Sequence, residues 1–213
     1  MRSLFFIIAF ITTSSFAQVI NEICPSNIEV HEDFFAGFLD WLEVYNPTDD
    51  AINLEGYALS DDYSNPSKWP FPPINLSSYA YLTITAKDDP ILISTISFLF
   101  PRRGGTVYMF SPTAELVDSI AYPEIQPNHS YGLIDSNYYY FEAPSPGDPN
   151  NSETGYKGYA NSPSINLGSG AFEVGTEIVM TAVLPSETIY YSYNGMNPGE
   201  EEFYDSPISL DNH

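Results

Sequence analysis

Apolar and polar residues alternate in short bursts along most of this chain, and clusters of Asn, Pro, Asp, Gly and Ser break the bursts apart. Trp41-Leu42-Glu43-Val44-Tyr45 runs into Asn46-Pro47, and a second alternation follows the Asp49-Asp50 turn through Asn53-Leu54-Glu55-Gly56-Tyr57-Ala58-Leu59-Ser60. A period of two bounded by turn formers predicts β-strands. The pattern places strands over 19–23, 41–45, 57–59, 79–85, 106–110, 116–122 and 130–133, and no window carries a helical period. Within the 41–45 burst, Trp41, Leu42 and Val44 are expected to supply core contacts and Glu43 to face out, in a strand at a sandwich edge. Asn46-Pro47 turns the chain, and Gly56 suits a close backbone approach or a positive φ. Gly104-Gly105 and Ser111 to Glu115 read as turns flanking a hairpin strand. Seven or so strands at this spacing predict an all-β, immunoglobulin-like β-sandwich.

The pattern changes after residue 142. Ala143-Pro144-Ser145-Pro146-Gly147-Asp148-Pro149-Asn150-Asn151-Ser152 offers little to bury and reads as a linker or a terminal strap. Alternation then resumes around Ser164-Ile165, Ile178-Val179-Met180 and Ile189-Tyr190-Tyr191, with a last burst at Ile208-Ser209-Leu210. So few strands with an unpaired edge suggest a second, truncated β-sandwich, the front part of a longer protein. The expected organisation is 1–17 leader, 18–142 first sandwich, 143–160 linker and 161–213 partial second module.

The leader follows from Arg2, the apolar run Leu4 to Ile11, and small residues at Ser15 and Ala17, which predict a secretory signal peptide cleaved after Ala17. The run is too short to span a bilayer, which takes roughly 20 apolar residues, so no transmembrane segment is expected in the mature chain. The chain carries 28 acidic and 6 basic side chains, a formal charge of -22, and cleavage would remove Arg2 from the basic side. Such a balance argues against nucleic acid as a direct partner, because phosphate binding rests on Lys and Arg. Acid spread in singles and pairs, with 15% aromatic residues, marks a folded surface instead of a disordered tail. Cys24, the one cysteine, can form no intramolecular disulfide and reads as a small buried core thiol.

The first module resembles the lamin tail domain of exported bacterial proteins. Val19-Ile20-Asn21-Glu22-Ile23, Asp40 to Pro47, Asn53 to Asp62, Trp69-Pro70-Phe71-Pro72, Tyr81 to Asp89, Gly104 to Phe110, Val117 to Tyr122 and Pro144-Ser145-Pro146-Gly147 carry the likeness, in order. The stretch Ser97 to Arg103, which holds two of the basic residues, departs from it. The second set is similar to the chitobiase or hexosaminidase C-terminal, fibronectin-III-associated module, through Pro163-Ser164-Ile165, Phe172 to Gly175 and Ile189 to Pro198 with its Asn194-Gly195 turn. That order of modules resembles the front of exported proteins continuing into a kinase domain of the spore coat protein H type. The resemblance implies a non-catalytic binding, adhesion or scaffolding module, secreted or at the cell surface, with a protein or glycan partner. The alternatives are the targeting portion of such a kinase, and a carbohydrate-binding accessory module.

Candidate chemistry is sparse. Asp49-Asp50, Asp61-Asp62 and Asp88-Asp89 could offer hard oxygen ligands to Ca²⁺, although no pair has the alternate spacing of a calcium loop. No catalytic or cofactor-binding residue is indicated. His31, His129 and His213 stand apart, with no nucleophile elbow or paired metal histidines. Tyr138-Tyr139-Tyr140-Phe141 and Tyr190-Tyr191-Ser192-Tyr193 put aromatics on both faces of a strand, which suits either packing or sugar contact.

Overall fold

Strands form wherever alternation is bracketed by turn formers. The computed structural model describes residues 19–33, 37–87, 95–193, 195 and 203–210. Two units divide the chain at Lys157 and Gly158. The first begins with β1 (Val19–Cys24), β2 (Glu32–Asp33), β3 (Gly37–Phe38), β4 (Trp41–Tyr45), β5 (Ile52–Asn53), β6 (Ala58–Ser60) and β7 (Trp69–Pro70). It continues through β8 (Asn75–Leu76), β9 (Tyr81–Ala86), β10 (Thr95–Ile96), β11 (Gly105–Phe110), β12 (Leu116–Tyr122), β13 (Ser130–Ile134) and β14 (Asn137–Phe141). The second unit carries β15 (Ser164–Ile165), β16 (Thr176–Ile178), β17 (Met180–Thr181) and β18 (Ile208–Leu210). Among the described residues no helix is long and apolar enough to cross a membrane.

The expected all-β, immunoglobulin-like fold is what forms. A six-stranded sheet in the order β10-β9-β4-β1-β13-β14 and a four-stranded sheet in the order β12-β11-β6-β7 make up the sandwich. Register decides which side chains enter the core. Ile20 lies opposite Val44, Ile23 opposite Leu42, and Leu42 opposite Ile84, so these five line one inner face. Leu59, Val107, Met109 and Ile120 line the other, and apart from the nearly buried Ile84 and Val107 every one is fully buried. Each such side chain contributes roughly 1.5–3 kcal/mol through removal from water. The β11–β12 hairpin closes through Ser111 to Glu115, with Ala114 at φ 62° and Ser111 N donating to Glu115 O at 2.8 Å. Across the sheets, Ile20 N donates to Asp118 Oδ2 at 2.7 Å, a tie that reaches from β1 to β12.

Three expectations change. The 41–45 strand sits between β9 and β1 in the sheet interior, not at an edge. Glu43 does not face out; it is fully buried. Tyr79 leaves the strand that begins at Tyr81, because a turn closes from Ala80 N to Ser77 O and holds Tyr79 at φ 55°. Gly56 is at φ 84°, and a Cβ there would press on Pro112 at 3.2 Å, so both anticipated reasons for glycine apply.

The second unit pairs β15 with β17 and β16 with β18. An open groove of about 500 Å³ is lined by Leu167, Phe172, Met180 and Ile208 among others. The described residues include Gly195 of the expected Asn194-Gly195 turn, at φ 74°, but not Asn194.

Candidate functional site

The outer face of the six-stranded sheet holds a buried polar cluster around Asn21, Glu22 and Glu43. Its origin is a β-bulge: Ile20 pairs with Val44 and Glu22 with Glu43, so Asn21 is the extra residue on β1. The bulge lets Asn21 donate from Nδ2 to Glu43 Oε1 at 2.9 Å while its neighbour Glu22 stands beside Glu43. Gly132 pairs with Glu22, Tyr139 with Gly132, and Thr83 with Glu43, giving a row Tyr139–Gly132–Glu22–Glu43–Thr83 across five strands. Both glutamates are fully buried.

What buries them is the segment after β14. Residues Ser145 to Tyr156 lie on the first unit as a strap, which is the second of the two readings open for the Pro-rich stretch. Ser145 donates from N and Oγ to Glu22 at 3.3 Å, and Gly147 N donates to Glu43 Oε2 at 2.5 Å. Asn150 Nδ2 donates to Leu133 O at 2.9 Å and Asn21 O at 3.2 Å. Further on, Tyr156 and Tyr140 exchange backbone bonds and stack their rings at 5.8 Å, and Tyr156 Oη bonds His129 Nδ1 at 2.6 Å. Gly132 and Gly155 are both needed for this close approach. A Cβ on Gly132 would lie 2.6 Å from Asn150 Nδ2 and 2.9 Å from Asn21 O, and one on Gly155 would lie 3.1 Å from Tyr139 Cβ. Gly132→Ala is accordingly expected to cost about 1–3 kcal/mol by overpacking. A melting temperature equal to that of the parent chain would contradict the placement of the strap.

Burial dominates the electrostatics of the pair. Desolvation, with the neighbouring Glu43 charge adding to it, pushes the Glu22 carboxyl up to about 7. Desolvation also raises Glu43, Asp40 and Asp118 above the usual carboxylate range. Because the folded chain holds protons that the unfolded chain has already released, this contribution to stability is complete below about pH 4.5 and is lost as pH rises through about 7. A thermal melting series from pH 5 to pH 8.5 is expected to show a falling melting temperature, and a rise across that range would refute the sign.

The residues singled out in the sequence go elsewhere. Asp61 pairs with Lys68 at 2.5 Å, and Asp62 accepts from Ser64 N and Oγ, whose hydrogen bonds hold its carboxyl below the usual range. Neither joins a further ligand: no group of three His, Cys, Asp or Glu suited to a metal occurs among the described residues. Asp88, Asp89, Ala17 and His213 lie outside the described residues. His31 sits edge-on to Trp41 at 6.1 Å. Cys24 is fully buried on β1, and burial pushes its thiol up to about 12. The glutamate pair itself escaped sequence reading because alternation assigns Glu43 to a solvent face; the only available signal was an acid within Val-Ile-Asn-Glu-Ile and another within Trp-Leu-Glu-Val, joined to a distant Pro-Ser-Pro-Gly.

A sandwich of this topology, with the matching motifs on β1, β4, β6, β9, β11 and β12, can be set against known families. The Lamin Tail Domain profile matches residues 14–124, more than half of the 213. The chain belongs to the Lamin Tail Domain family. No curated protein and no solved structure matches it. The lamin tail domain is an immunoglobulin-like, non-enzymatic domain, and the matched residues hold both glutamates. The match ends at Glu124, so β13, β14 and the strap that covers the pair come from beyond the matched stretch of this lamin tail protein.

Proposed function

We propose that this lamin tail protein is an exported, non-catalytic binding or scaffolding module acting at or outside the cell surface on a protein or glycan partner. One observation carries the reading: the buried and half-buried polar side chains of the sandwich are spent on holding the chain together. Glu22 and Glu43 tie the strap, Asp118 ties the two sheets, and Asn46 ties a turn. A rigid frame built in this way presents surface rather than chemistry. The leader pattern at Arg2 to Ala17 supports export, and the charge of -22 disfavours polyanionic partners. Exposed Tyr63 and Tyr79 support sugar contact, since tyrosine faces stack on pyranose rings and their hydroxyls bond sugar hydroxyls. The second unit, with its two antiparallel pairs and apolar groove, fits an accessory β-module.

The test has two arms. N-terminal sequencing of the protein recovered outside cells of its native host should begin at Gln18; recovery of an intact Met1 form from the cytoplasm alone would refute export. The mature chain should bind members of a glycan array or a surface protein partner, with Tyr63→Ala and Tyr79→Ala reducing glycan signal. Signal at blank level on every glycan removes the glycan partner, and absence of any surface protein partner as well removes the binding reading.

A further inference from the structure

Glu22 and Glu43 pose a problem that two lone surface carboxylates would not. They are register partners on neighbouring strands, both fully buried, and each accepts hydrogen bonds from the strap. Two adjoining carboxylates in a dry site cannot both carry charge without a cation between them. None is provided. The titratable groups on the elements around the pair are Cys24 of β1, Asp40 and Tyr45 at the two ends of β4, Tyr81 of β9, Tyr131 of β13, Tyr138, Tyr139 and Tyr140 of β14, and Asp148, Glu153 and Tyr156 of the strap, none of them a cation-forming side chain. Lys157 lies 5.7 Å over the Tyr139 ring, and His129 Nδ1 is bonded to Tyr156 Oη. The pair must therefore hold one proton.

The partners decide where that proton rests. Glu43 accepts from Asn21 Nδ2 and from Gly147 N, donors that cannot reverse, and from Thr83 Oγ1. It keeps its charge. Glu22 accepts from Ser145 N, which the carbonyl oxygen of a protonated carboxyl still satisfies, and is otherwise bonded by the hydroxyls of Ser130 and Ser145, which can turn to accept as readily as to donate. A protonated Glu22 can donate to Ser145 Oγ, whose own hydroxyl proton has Asn150 Oδ1 as its acceptor at 3.1 Å. We propose that Glu22 and Glu43 form a proton-governed latch that holds the strap, 145–156, on the six-stranded sheet with one proton bound and loosens it when that proton leaves. Release adds chain to the connection that precedes Gly158, so the latch sets how much tether follows the sandwich. The raised affinity of Glu22 for a proton puts the change near neutral pH.

Hydrogen exchange on the full chain, read by mass spectrometry at pH 5.5 and pH 8.5 and corrected for intrinsic rates, tests this. In the parent chain, protection of the strap amides around Gly147 should fall at least tenfold between the two conditions while that of β11 and β12 changes less. Glu22→Gln, the neutral isostere, should keep the strap protected at both values, whereas Glu43→Gln, which turns an amide donor toward Gly147 N or Asn21 Nδ2, should lose protection at both. Equal protection of the parent strap at both values overturns the proposal, and this measurement needs no variant to fold. Persistence of the drop in Glu22→Gln overturns it too, and its abolition in His129→Gln instead would assign the effect to the other end of the strap.

Discussion

Replacing Asn46 by Asp should destabilise the sandwich by about 3–5 kcal/mol, the range for leaving a buried charge uncompensated. Asn46 is fully buried at the end of β4. Its Nδ2 donates to Asp50 O at 2.8 Å and Ser77 O at 2.9 Å, with Leu76 O at 3.2 Å, and its Oδ1 accepts from Thr48 N and Oγ1. One amide thus gathers the turn after β4 and the turn before β9. An aspartate keeps the size and the acceptor but points an oxygen at three carbonyls. For a chain of this length about 1 kcal/mol moves the melting temperature by roughly 2–4 °C, so a drop on the order of 10 °C is expected by calorimetry. Asn46→Ala, which creates no charge, should fall by less. A drop under about 2 °C for Asn46→Asp would show that the amide is not the tie described.

Trp41→Ala is the second large effect, about 3–5 kcal/mol for emptying the space of a buried tryptophan. Trp41 is fully buried on the outer face of the six-stranded sheet, beside Cys24 and edge-on to His31. Its indole Nε1 has no hydrogen-bond partner, the one such buried side-chain atom among the described residues. That orphan donor costs free energy, so Trp41→Phe, which removes it along with part of the ring, should lose much less than Trp41→Ala and stay under about 1.5 kcal/mol. Urea unfolding of the three proteins decides the matter. Equal losses for Phe and Ala would mean that the N–H is satisfied in solution.

Both predictions concern residues whose sequence signal was clear and whose role was not. Asn46-Pro47 reads as a turn because Asn favours turns, and the turn is there. Its side chain, however, works at distances of 30 and 31 positions along the chain, through Leu76 and Ser77. Trp41 reads as core, and it is buried, but on the face opposite the core between the sheets. The segment before β4 supplies its cover, with Asn27 holding that segment by donating to His31 O and Leu39 O. Glu43 is the sharpest case. Period-two alternation assigns it to the outside of the sheet, and it does leave the inner face. The outside proves to be dry because Ser145 to Tyr156 covers it.

The sequence alone settled the all-β class, the strands at 41–45 and 116–122 to the residue, the hairpin turn at Ser111 to Glu115 and the likeness to lamin tail domains. These are local properties: side-chain alternation, turn chemistry and positive-φ glycines are written within a few neighbouring positions. Tertiary structure decided the rest. That β4 lies inside the sheet depends on its pairing with β1 and with β9, as Trp41 does with Thr85, while which face of it stays wet and why Gly132 has no side chain depend on contacts with the strap and with Asn21 that lie far off in the sequence. Glu22 and Glu43 became a pair through a one-residue bulge in register, and a latch through a strap that arrives over a hundred residues later. A carboxylate's meaning is set by what removes water from it, and only the folded chain brings that cover into place.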